Sequence, residues 1–174
     1  ASWNIGSLTG KSIELVKSLY RRRISIACVQ ETKWVGSKAR VVDGYKLRYS
    51  GSNRAKNGVC ILVGKELIDF VVEVRRKSDR IMAIKVVVGS EILNVVSVYA
   101  PQIGLSDDIK KQFWEERDMV IQDVPRSEKL FIGGDFNGHI GVDADGYETA
   151  HGGFGFGERN NGGVSVLEFA VAYD

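Results

Sequence analysis

Five polar side chains stand where hydrophobic runs of the sequence end. Side chains alternate across a strand, so Asp135 and Asn137 project to the same side as the chain leaves its sheet. Ligands of α/β sheets gather beyond strand ends at one edge, so polar residues at four such ends are expected to converge. The five candidates are Asn4, Glu31, Tyr99, Asp135 and Asn137.

These residue types suit the hydrolysis of a phosphodiester with the help of a magnesium ion. Mg²⁺ dehydrates reluctantly and prefers hard oxygen ligands, so one or two carboxylates, phosphate oxygens and water make a typical site. Glu31 is predicted to be the metal ligand, with Asn4 as a neutral support. Asp135 would take a proton from an attacking water, while Asn137 and Tyr99 would donate hydrogen bonds to the phosphate as its charge develops.

The pattern of apolar residues predicts the elements that position this site. Hairpins between neighbouring strands, together with helical crossovers, predict an α/β sandwich with mixed sheets. A turn at Gly89 and Ser90 fits a hairpin, and Pro101 ends the strand before it. The stretch 48–58 is predicted to be a polar loop. Strands are predicted at 2–5, 24–30, 59–63, 70–74, 80–88, 92–99 and 129–134, and helices at 12–22, 107–122 and 164–172.

Composition indicates one globular, intracellular domain. The chain has 174 residues and 44% hydrophobic content, enough for a substantial core. Cys28 and Cys60 lie in apolar runs and are expected to be buried free thiols, which favours a reducing compartment. No run approaches the length of a membrane span and no signal peptide precedes the first strand, so a soluble protein is expected. The lack of an initiator methionine indicates that Ala1 is a cut or processed end.

The formal net charge of +2 hides an uneven distribution of charge. Residues 1–87 contain 18 Lys and Arg against 7 Asp and Glu, whereas residues 88–174 contain 6 against 15. Such asymmetry is a hint of contact with nucleic acid or a membrane surface. The alternative is that both halves intermix in one fold, so that their fields largely cancel.

Four motifs in this order resemble the endonuclease/exonuclease/phosphatase superfamily. The Gln-Glu-Thr-Lys tetrad at 30–33 resembles the apurinic/apyrimidinic endonuclease branch, and the overall run is similar to the endonuclease domain of LINE-type non-LTR retrotransposons. The resemblance is specific because the motifs are spread from residue 2 to residue 137. They are Ser2-Trp3-Asn4, Val29-Gln30-Glu31-Thr32-Lys33, Val98-Tyr99-Ala100-Pro101 and Gly134-Asp135-Phe136-Asn137.

This resemblance implies a four-layer α/β sandwich, in which two mixed β-sheets lie face to face with helices outside. It implies that Glu31 binds the metal, with Asn4 beside it and Lys33 supporting from behind. The metal would be magnesium, with manganese as the alternative. The implied reaction is metal-dependent nicking of DNA, which in retroelements leaves a 3′-hydroxyl that primes reverse transcription. The resemblance also implies that the protein is located in the nucleus.

The resemblance also assigns roles around the phosphate. Tyr99 matches a tyrosine at the phosphate, and Asp135 and Asn137 match an Asp-x-Asn pair that activates water and orients the phosphate. Family members continue to a late Asp and a Ser-Asp-His ending, which the sequence up to Asp174 does not contain. Residues 1–174 are therefore expected to form a single, C-terminally truncated domain, with unpaired sheet edges and weakened catalysis.

Further contacts with DNA are predicted from loop residues. Arg54 and Lys56 lie in a turn-rich loop and are candidates for phosphate contacts, and Arg159 beside a glycine-rich loop is a candidate for contact with a DNA groove. His139 follows Asn137 closely and is either a histidine acting at the site or a loop group facing solvent. DNA is the expected partner, and the sequence indicates neither a membrane nor a particular protein partner.

Three classes of function remain open at this point. The first is a DNA endonuclease of retrotransposon origin. The second keeps the chemistry but acts on a phosphate ester other than DNA. The third is a catalytically inactive, domesticated or truncated relic that binds nucleic acid or protein. Retention of Glu31, Asp135 and Asn137 favours an enzyme, while the missing C-terminal motifs favour the relic.

Overall fold

A computed structural model describes residues 1–102 and 104–173. The chain divides into two compact units: Ala1–Ala100 with Asp107–Asp135, and Pro101–Ser106 with Phe136–Asp174. The strands are β1 Ser2–Asn4, β2 Ile26–Gln30, β3 Ser37–Val42, β4 Tyr45–Ser50, β5 Val59–Gly64, β6 Val71–Arg76, β7 Ile81–Val88, β8 Glu91–Tyr99 and β9 Lys129–Asp135. The helices are α1 Ser12–Arg21, α2 Asp107–Gln122, α3 Glu148–His151 and α4 Asn161–Ala172, with a short 3₁₀ turn at Ile68–Phe70.

The first unit contains both β-sheets. One sheet has the strand order β1-β2-β5-β4-β3, and the other has the order β6-β7-β8-β9. β1 runs parallel to β2 and β9 runs parallel to β8, whereas the remaining neighbours are antiparallel. Both sheets are therefore mixed, as the sequence predicts.

The first unit is built in four layers. The helix α1 buries Leu15, Val16 and Leu19 against the outer face of the first sheet. The inner faces of the two sheets enclose a second apolar cluster, and α2 packs against the second sheet through β7. The predicted four-layer α/β sandwich is confirmed. Its inner cluster consists of Cys28, Val59, Ile61, Val63, Met82, Ile84, Val86, Val95 and Tyr99.

The pattern of apolar residues does not predict two strands of the first sheet, β3 and β4. β3 has the sequence SKARVV and is almost entirely exposed, because it is an edge strand and such edges carry charged residues. β4 ends at Ser50, so the prediction of a loop over 48–58 is wrong for its first residues. Arg48, Tyr49 and Ser50 pair with both β3 and β5, and this pairing satisfies their backbone groups.

Among the element boundaries that differ from the prediction, two have a clear local cause. The strand predicted from residue 70 begins at Val71, because Phe70 belongs to the preceding 3₁₀ turn, and it extends to Arg76. The last helix begins at Asn161 rather than at residue 164. The Asn160 side chain accepts a hydrogen bond from the Gly163 backbone N–H at 2.8 Å, which caps the first turn and offsets the low helix propensity of the two glycines there.

Both cysteines are buried and free, as predicted. Burial raises the pKa of the Cys28 thiol to about 11 and also raises that of Cys60. These thiols therefore act as small apolar groups of the core. Within the described ranges, no helix has the length and apolar character needed to cross a membrane.

The second unit is organised around α3, α4 and the loops before them. The backbone N–H of His139 donates to the Asn160 side chain at 3.1 Å, and the Asn160 N–H donates to the His139 carbonyl at 3.0 Å. α4 approaches this loop so closely that a Cβ on Gly163 would collide with the His139 carbonyl. Leu167 and His151 are buried.

The buried arginine of β4 is expected to lower the stability of the first unit. Arg48 is 6% exposed, and its Nη1 atom has no hydrogen-bond partner among the described residues. Burial, followed by the charge of Arg76, lowers the pKa of its guanidinium. Because an uncompensated buried charge is costly, Arg48→Met is expected to raise the free energy of unfolding by about 1–2 kcal/mol. Urea unfolding with an unchanged m-value measures this.

Arg76→Met is the matched control for this prediction. Arg76 donates to the Tyr49 carbonyl at 3.1 Å and to the Lys38 carbonyl at 3.4 Å, so it ties β6 to the first sheet. Its replacement is expected to destabilise the protein, in contrast to Arg48→Met. A loss of stability of similar size in both variants would contradict an uncompensated charge at Arg48.

Candidate active site

Four of the five predicted site residues are joined by hydrogen bonds in the first unit. The Asn4 amide Nδ2 donates to Glu31 Oε1 at 3.0 Å and to Asp135 Oδ2 at 2.8 Å. The Tyr99 hydroxyl donates to the same Glu31 oxygen at 2.7 Å. We call Asn4, Glu31, Tyr99 and Asp135 the strand-end cluster, because each lies at or directly after the last residue of a strand.

Parallel pairing brings these strand ends to one edge. In the first sheet Asn4 pairs with Gln30, the residue before Glu31, and in the second sheet Tyr99 pairs with Asp135. The C-terminal ends of parallel neighbouring strands lie at the same edge of a sheet, so two members of the cluster lie at that edge in each sheet. The bond from Asn4 to Asp135 then links the two sheets.

The two glycines before Asp135 allow β9 to reach this position. A Cβ on Gly133 would lie 2.9 Å from the Cys28 Cβ on the first sheet, and a Cβ on Gly134 would collide with Val98 on β8. Any larger residue would push β9 away from one of its neighbours. The strand therefore carries glycine where it is enclosed on both sides, and the polar residues follow where it opens to solvent.

The turn after β2 holds Glu31 in a strained backbone conformation. Glu31 and Lys33 have positive φ angles of 55° and 54°, which non-glycine residues seldom adopt and which concentrate at functional sites. The Thr32 N–H donates to the Gly58 carbonyl at 3.0 Å, and the Lys33 N–H donates to the Asn57 carbonyl at 2.8 Å. The β4–β5 loop thus fixes the direction of the Glu31 side chain.

The orientation of the Asn4 amide follows from its own partners. The Gly6 backbone N–H donates to Asn4 Oδ1 at 3.0 Å, so the oxygen is engaged and the NH₂ group faces the two carboxylates. Asn4 therefore acts as a donor that holds Glu31 and Asp135 side by side. In the structure the Asn4 amide supports the two carboxylates, and its role beside a metal ion stays a prediction.

Both titratable members of the Glu31–Tyr99 pair have shifted pKa values. Burial opposes the ionisation of Glu31, but hydrogen bonds from Asn4 and Tyr99 and the charges of Lys33 and Arg80 outweigh it, so the pKa of Glu31 lies below its ordinary value. Burial, followed by the bond to the Glu31 carboxylate, raises the pKa of Tyr99 to about 12. At neutral pH the pair therefore consists of a carboxylate and a protonated phenol.

Arg80 is a site residue that sequence reasoning missed. Its Nη1 donates to the Tyr99 carbonyl at 3.1 Å and its Nη2 donates to Asn57 Oδ1 at 3.2 Å. The guanidinium also lies over the Tyr99 ring, 5.0 Å from its centroid. Arg80 thereby connects the end of β8 to the loop that fixes Glu31. No motif marks it, since it is one cation among several near a predicted strand end.

Removal of Arg80 is expected to slow any reaction at the cluster without weakening substrate binding. A hydrogen bond to a charged group contributes about 1.5–3 kcal/mol, so Arg80→Met should lower kcat by roughly tenfold or more while KM changes little. Arg80→Lys should restore part of kcat because it retains the charge. Steady-state kinetics of the two variants beside Arg40→Met, an arginine that stacks on Trp34 instead, measure this. A change in KM alone would contradict it.

Three cations that are predicted to support the site or to contact DNA lie in loops of the first unit. The Lys33 ammonium is 3.9 Å from Glu31 Oε2, and its role in supporting a metal-bound carboxylate stays a prediction. Arg54 and Lys56 are exposed on the β4–β5 loop, where the Ser52 hydroxyl donates to their backbone carbonyls at 2.7 and 3.3 Å. Their side chains therefore face solvent on a loop with a defined turn.

The remaining predicted residues belong to the second unit. Asn137 is half-buried and has a positive φ of 48°. A His139 ring nitrogen meets the Phe156 carbonyl, so this histidine is engaged in the loop. The Arg159 guanidinium donates to the carbonyls of Ile140, Asp143 and Asp145, and it lies over the Tyr147 ring. Arg159 thus organises the loop that precedes α3.

The strand-end cluster contains oxygen ligands of the type that a magnesium ion prefers. Within 1–102 and 104–173, no three or more His, Cys, Asp or Glu residues group into a metal-binding set. Mg²⁺ does not require such a set, because one or two carboxylates suffice when water and phosphate oxygens complete its shell. Glu31 offers a partly exposed carboxylate, and Asp135 offers a second carboxylate across the Asn4 amide.

Solved structures with this architecture define the class of fold. The endonuclease domain of TRAS1, a telomere-specific non-LTR retrotransposon, matches 99% of this chain and 68% of its own, with a TM-score of 0.65 and 17% identity. An AP endonuclease from Archaeoglobus fulgidus matches 98% and 68%, with a TM-score of 0.64 and 22% identity. The chain has the endonuclease/exonuclease/phosphatase fold, as its motifs indicated.

A curated protein and a DNA-bound solved structure are also similar to this chain. Craniofacial development protein 2 of Bos taurus is 28% identical over 170 residues, which are 97% of this chain and 28% of that protein. The chain thus spans less than a third of this curated relative. The 3′ phosphatase NExo from Neisseria, solved with a product DNA hairpin, covers 86% of the chain and 62% of its own at a TM-score of 0.63 and 24% identity. No family model matches the chain.

Proposed function

We propose that this chain is a divalent-metal-dependent phosphodiesterase that nicks DNA and derives from a retrotransposon endonuclease. The observation that carries the proposal is the Asn4 amide, which bridges the carboxylates of Glu31 and Asp135. Two carboxylates at this separation repel each other unless a donor or a cation lies between them. The arrangement suits two distinct tasks, one carboxylate for a cation and the other for a proton.

Glu31 takes the first task. It would hold Mg²⁺, or Mn²⁺ as an alternative, and the bound ion supplies charge stabilisation to the phosphate. Burial raises the pKa of Glu31, but the hydrogen bonds from Asn4 and Tyr99 lower it, and the charges of Lys33 and Arg80 lower it further, so that the net shift is downward. The carboxylate therefore stays ionised at neutral pH and is ready to bind a cation.

Asp135 takes the second task. Its side chain is half-buried and held at 2.8 Å by the Asn4 amide, and its backbone carbonyl accepts from the Ala100 N–H at 2.8 Å. A carboxylate fixed in this way can accept a proton from a water that attacks the phosphate. Tyr99 remains a protonated donor beside it, and Asn137 is proposed to orient the phosphate.

Charge and resemblance support DNA as the substrate. The first 87 residues contain 18 basic against 7 acidic side chains, and Arg54 and Lys56 are exposed on the loop beside Glu31. Such cations bind phosphates irrespective of sequence. The names of the structural neighbours include a retrotransposon endonuclease domain and a phosphatase bound to DNA. With DNA as its substrate, the protein is proposed to act in the nucleus.

A supercoiled-plasmid assay tests this function. We expect the chain to convert supercoiled plasmid to nicked circles with Mg²⁺ and to stop when EDTA is added. A parallel assay with an inositol phosphate and p-nitrophenyl phosphate separates DNA cleavage from a general phosphatase. Release of phosphate from those compounds without nicking would replace DNA by another ester. Folded chain that is silent on all three substrates would favour the non-catalytic binding module.

A further inference from the structure

A polar contact between the two sheets lies beside the turn that carries Glu31. The Asn57 side chain, on the β4–β5 loop, donates from Nδ2 to Asp79 Oδ2 at 2.9 Å and accepts at Oδ1 from Arg80 Nη2 at 3.2 Å. The Gly58 N–H also donates to the Asp79 carbonyl at 3.0 Å. We call Asn57, Asp79 and Arg80 the inter-sheet clamp, because they join this loop of the first sheet to the β6–β7 loop of the second.

The inter-sheet clamp uses both ends of the Asn57 amide. A carboxylate only accepts hydrogen bonds and a guanidinium only donates them, so the amide has a single orientation in which both bonds form. All three residues are partly buried, and hydrogen bonds are stronger there than in water. The clamp is therefore a specific contact, unlike an exposed pair of charges that contributes little.

The backbone of the same loop holds the turn that follows Glu31. The Asn57 carbonyl accepts from the Lys33 N–H at 2.8 Å, and the Gly58 carbonyl accepts from the Thr32 N–H at 3.0 Å. A displacement of Asn57 would therefore move both acceptors on which the backbone after Glu31 depends.

The Glu31 turn needs this support because its backbone is strained. Glu31 and Lys33 both have positive φ angles, and such conformations persist only where the surrounding contacts determine them. The two backbone bonds to the loop supply these contacts, and the Asn57 side chain fixes the loop that makes them. The clamp is thus linked through the backbone to a carboxylate that it does not touch.

We propose that Asn57 is a positioning residue for Glu31, with Asp79 as its anchor on the second sheet. The clamp sets the separation between Glu31, which follows β2 of the first sheet, and Asp135, which ends β9 of the second. Residues that orient metal ligands from behind contribute about 10–100-fold to metal affinity or activity. The proposal rests on the proposed function for the identity of the metal ion and for the role of Glu31.

Three variants separate this role from that of a simple turn residue. Asn57 has a positive φ of 56°, which asparagine and glycine tolerate better than other residues. Asn57→Gly therefore keeps the backbone conformation and removes only the clamp, whereas Asn57→Asp places a second carboxylate against Asp79. The double variant Asn57→Asp/Asp79→Asn exchanges donor and acceptor. The carboxylate at position 57 can then accept from the amide at position 79 and from Arg80, so the clamp re-forms.

Binding of Mn²⁺ to the metal-free protein, followed by the EPR signal of free Mn²⁺, tests the proposal without a reaction. Glu31→Gln first identifies the binding that depends on Glu31. We expect Asn57→Gly and Asn57→Asp to raise the Kd of that site by at least about tenfold, and the double variant to return to within about threefold of wild type. Asn53→Gly, the same change at an exposed asparagine of the same loop, is the matched control and should bind Mn²⁺ like wild type.

Hydrogen exchange of backbone amides supplies a second readout that is independent of metal. Protection of the Thr32 and Lys33 N–H groups should fall in both single variants of Asn57 and recover in the double variant. Unchanged Mn²⁺ affinity or unchanged amide protection in Asn57→Gly overturns the proposal, as does the lack of recovery in a double variant that thermal unfolding shows to be folded. In those cases Mn²⁺ binding that is lost in Glu31→Gln still supports the proposed function. Binding that Glu31→Gln does not weaken contradicts both.

Discussion

Glu31→Gln is expected to abolish metal-dependent nicking, with a fall in rate of at least about a hundredfold, the scale on which lost electrostatic stabilisation acts. The substitution removes the negative charge that would hold the cation. It keeps an amide oxygen where Glu31 Oε1 accepts from Asn4 and Tyr99, so the strand-end cluster retains its hydrogen-bond geometry. The rate of conversion of supercoiled to nicked plasmid at fixed Mg²⁺ measures the effect.

The matched control for this variant is Glu14→Gln on α1. Glu14 is exposed in the first turn of the helix, away from the strand ends, and the same chemical change there should leave nicking within about twofold of wild type, since surface substitutions have small effects. Nicking that survives in Glu31→Gln, or that falls equally in both variants, would remove Glu31 from the metal site.

The sequence locates the strand-end cluster because its members share a physical signal. Each follows an apolar run, and polar groups directly after buried strands gather at the edge of an α/β sheet. Asn4, Glu31, Tyr99 and Asp135 accordingly lie within one hydrogen-bonded network. Hairpins and helical crossovers predict an α/β sandwich with mixed sheets, whereas the four layers are predicted by the family resemblance.

The features that the sequence does not reveal depend on three-dimensional neighbours. β3 is polar because it is an edge, so its composition resembles that of a loop. Arg80 acquires its role only when the Tyr99 carbonyl and the Asn57 side chain come within reach of its guanidinium. The donor role of Asn4 depends on the Gly6 N–H, which decides the direction of the amide.

The surroundings of cations in loops also cannot be inferred from the sequence. The sequence offers Arg54 and Lys56 as candidates for phosphate contacts and Arg159 as a candidate for contact with a DNA groove. The structure separates them, since Arg159 donates to three backbone carbonyls of its own unit while Arg54 and Lys56 face solvent. Contact of any of the three with DNA remains a prediction, and the two exposed residues on the β4–β5 loop are better placed for it.

Asp135→Asn is expected to lower turnover by about 10²–10⁴-fold, the usual contribution of a general base, while DNA affinity stays within about threefold. Asparagine can still accept the Asn4 amide hydrogen bond seen at 2.8 Å, and the backbone bond from Ala100 does not involve the side chain. What is lost is the ability to accept a proton from water. Single-turnover nicking measures the rate, and anisotropy in EDTA measures the affinity.

The comparison of these two quantities separates catalysis from binding at Asp135. A general base acts only in the transition state, so its removal reduces kcat and kcat/KM together and leaves ground-state binding intact. Asp69→Asn, an exposed carboxylate of the 3₁₀ turn, is the matched control and should change neither. If affinity fell as far as turnover, Asp135 would be a binding residue, and the proton would have to pass to another group of the strand-end cluster.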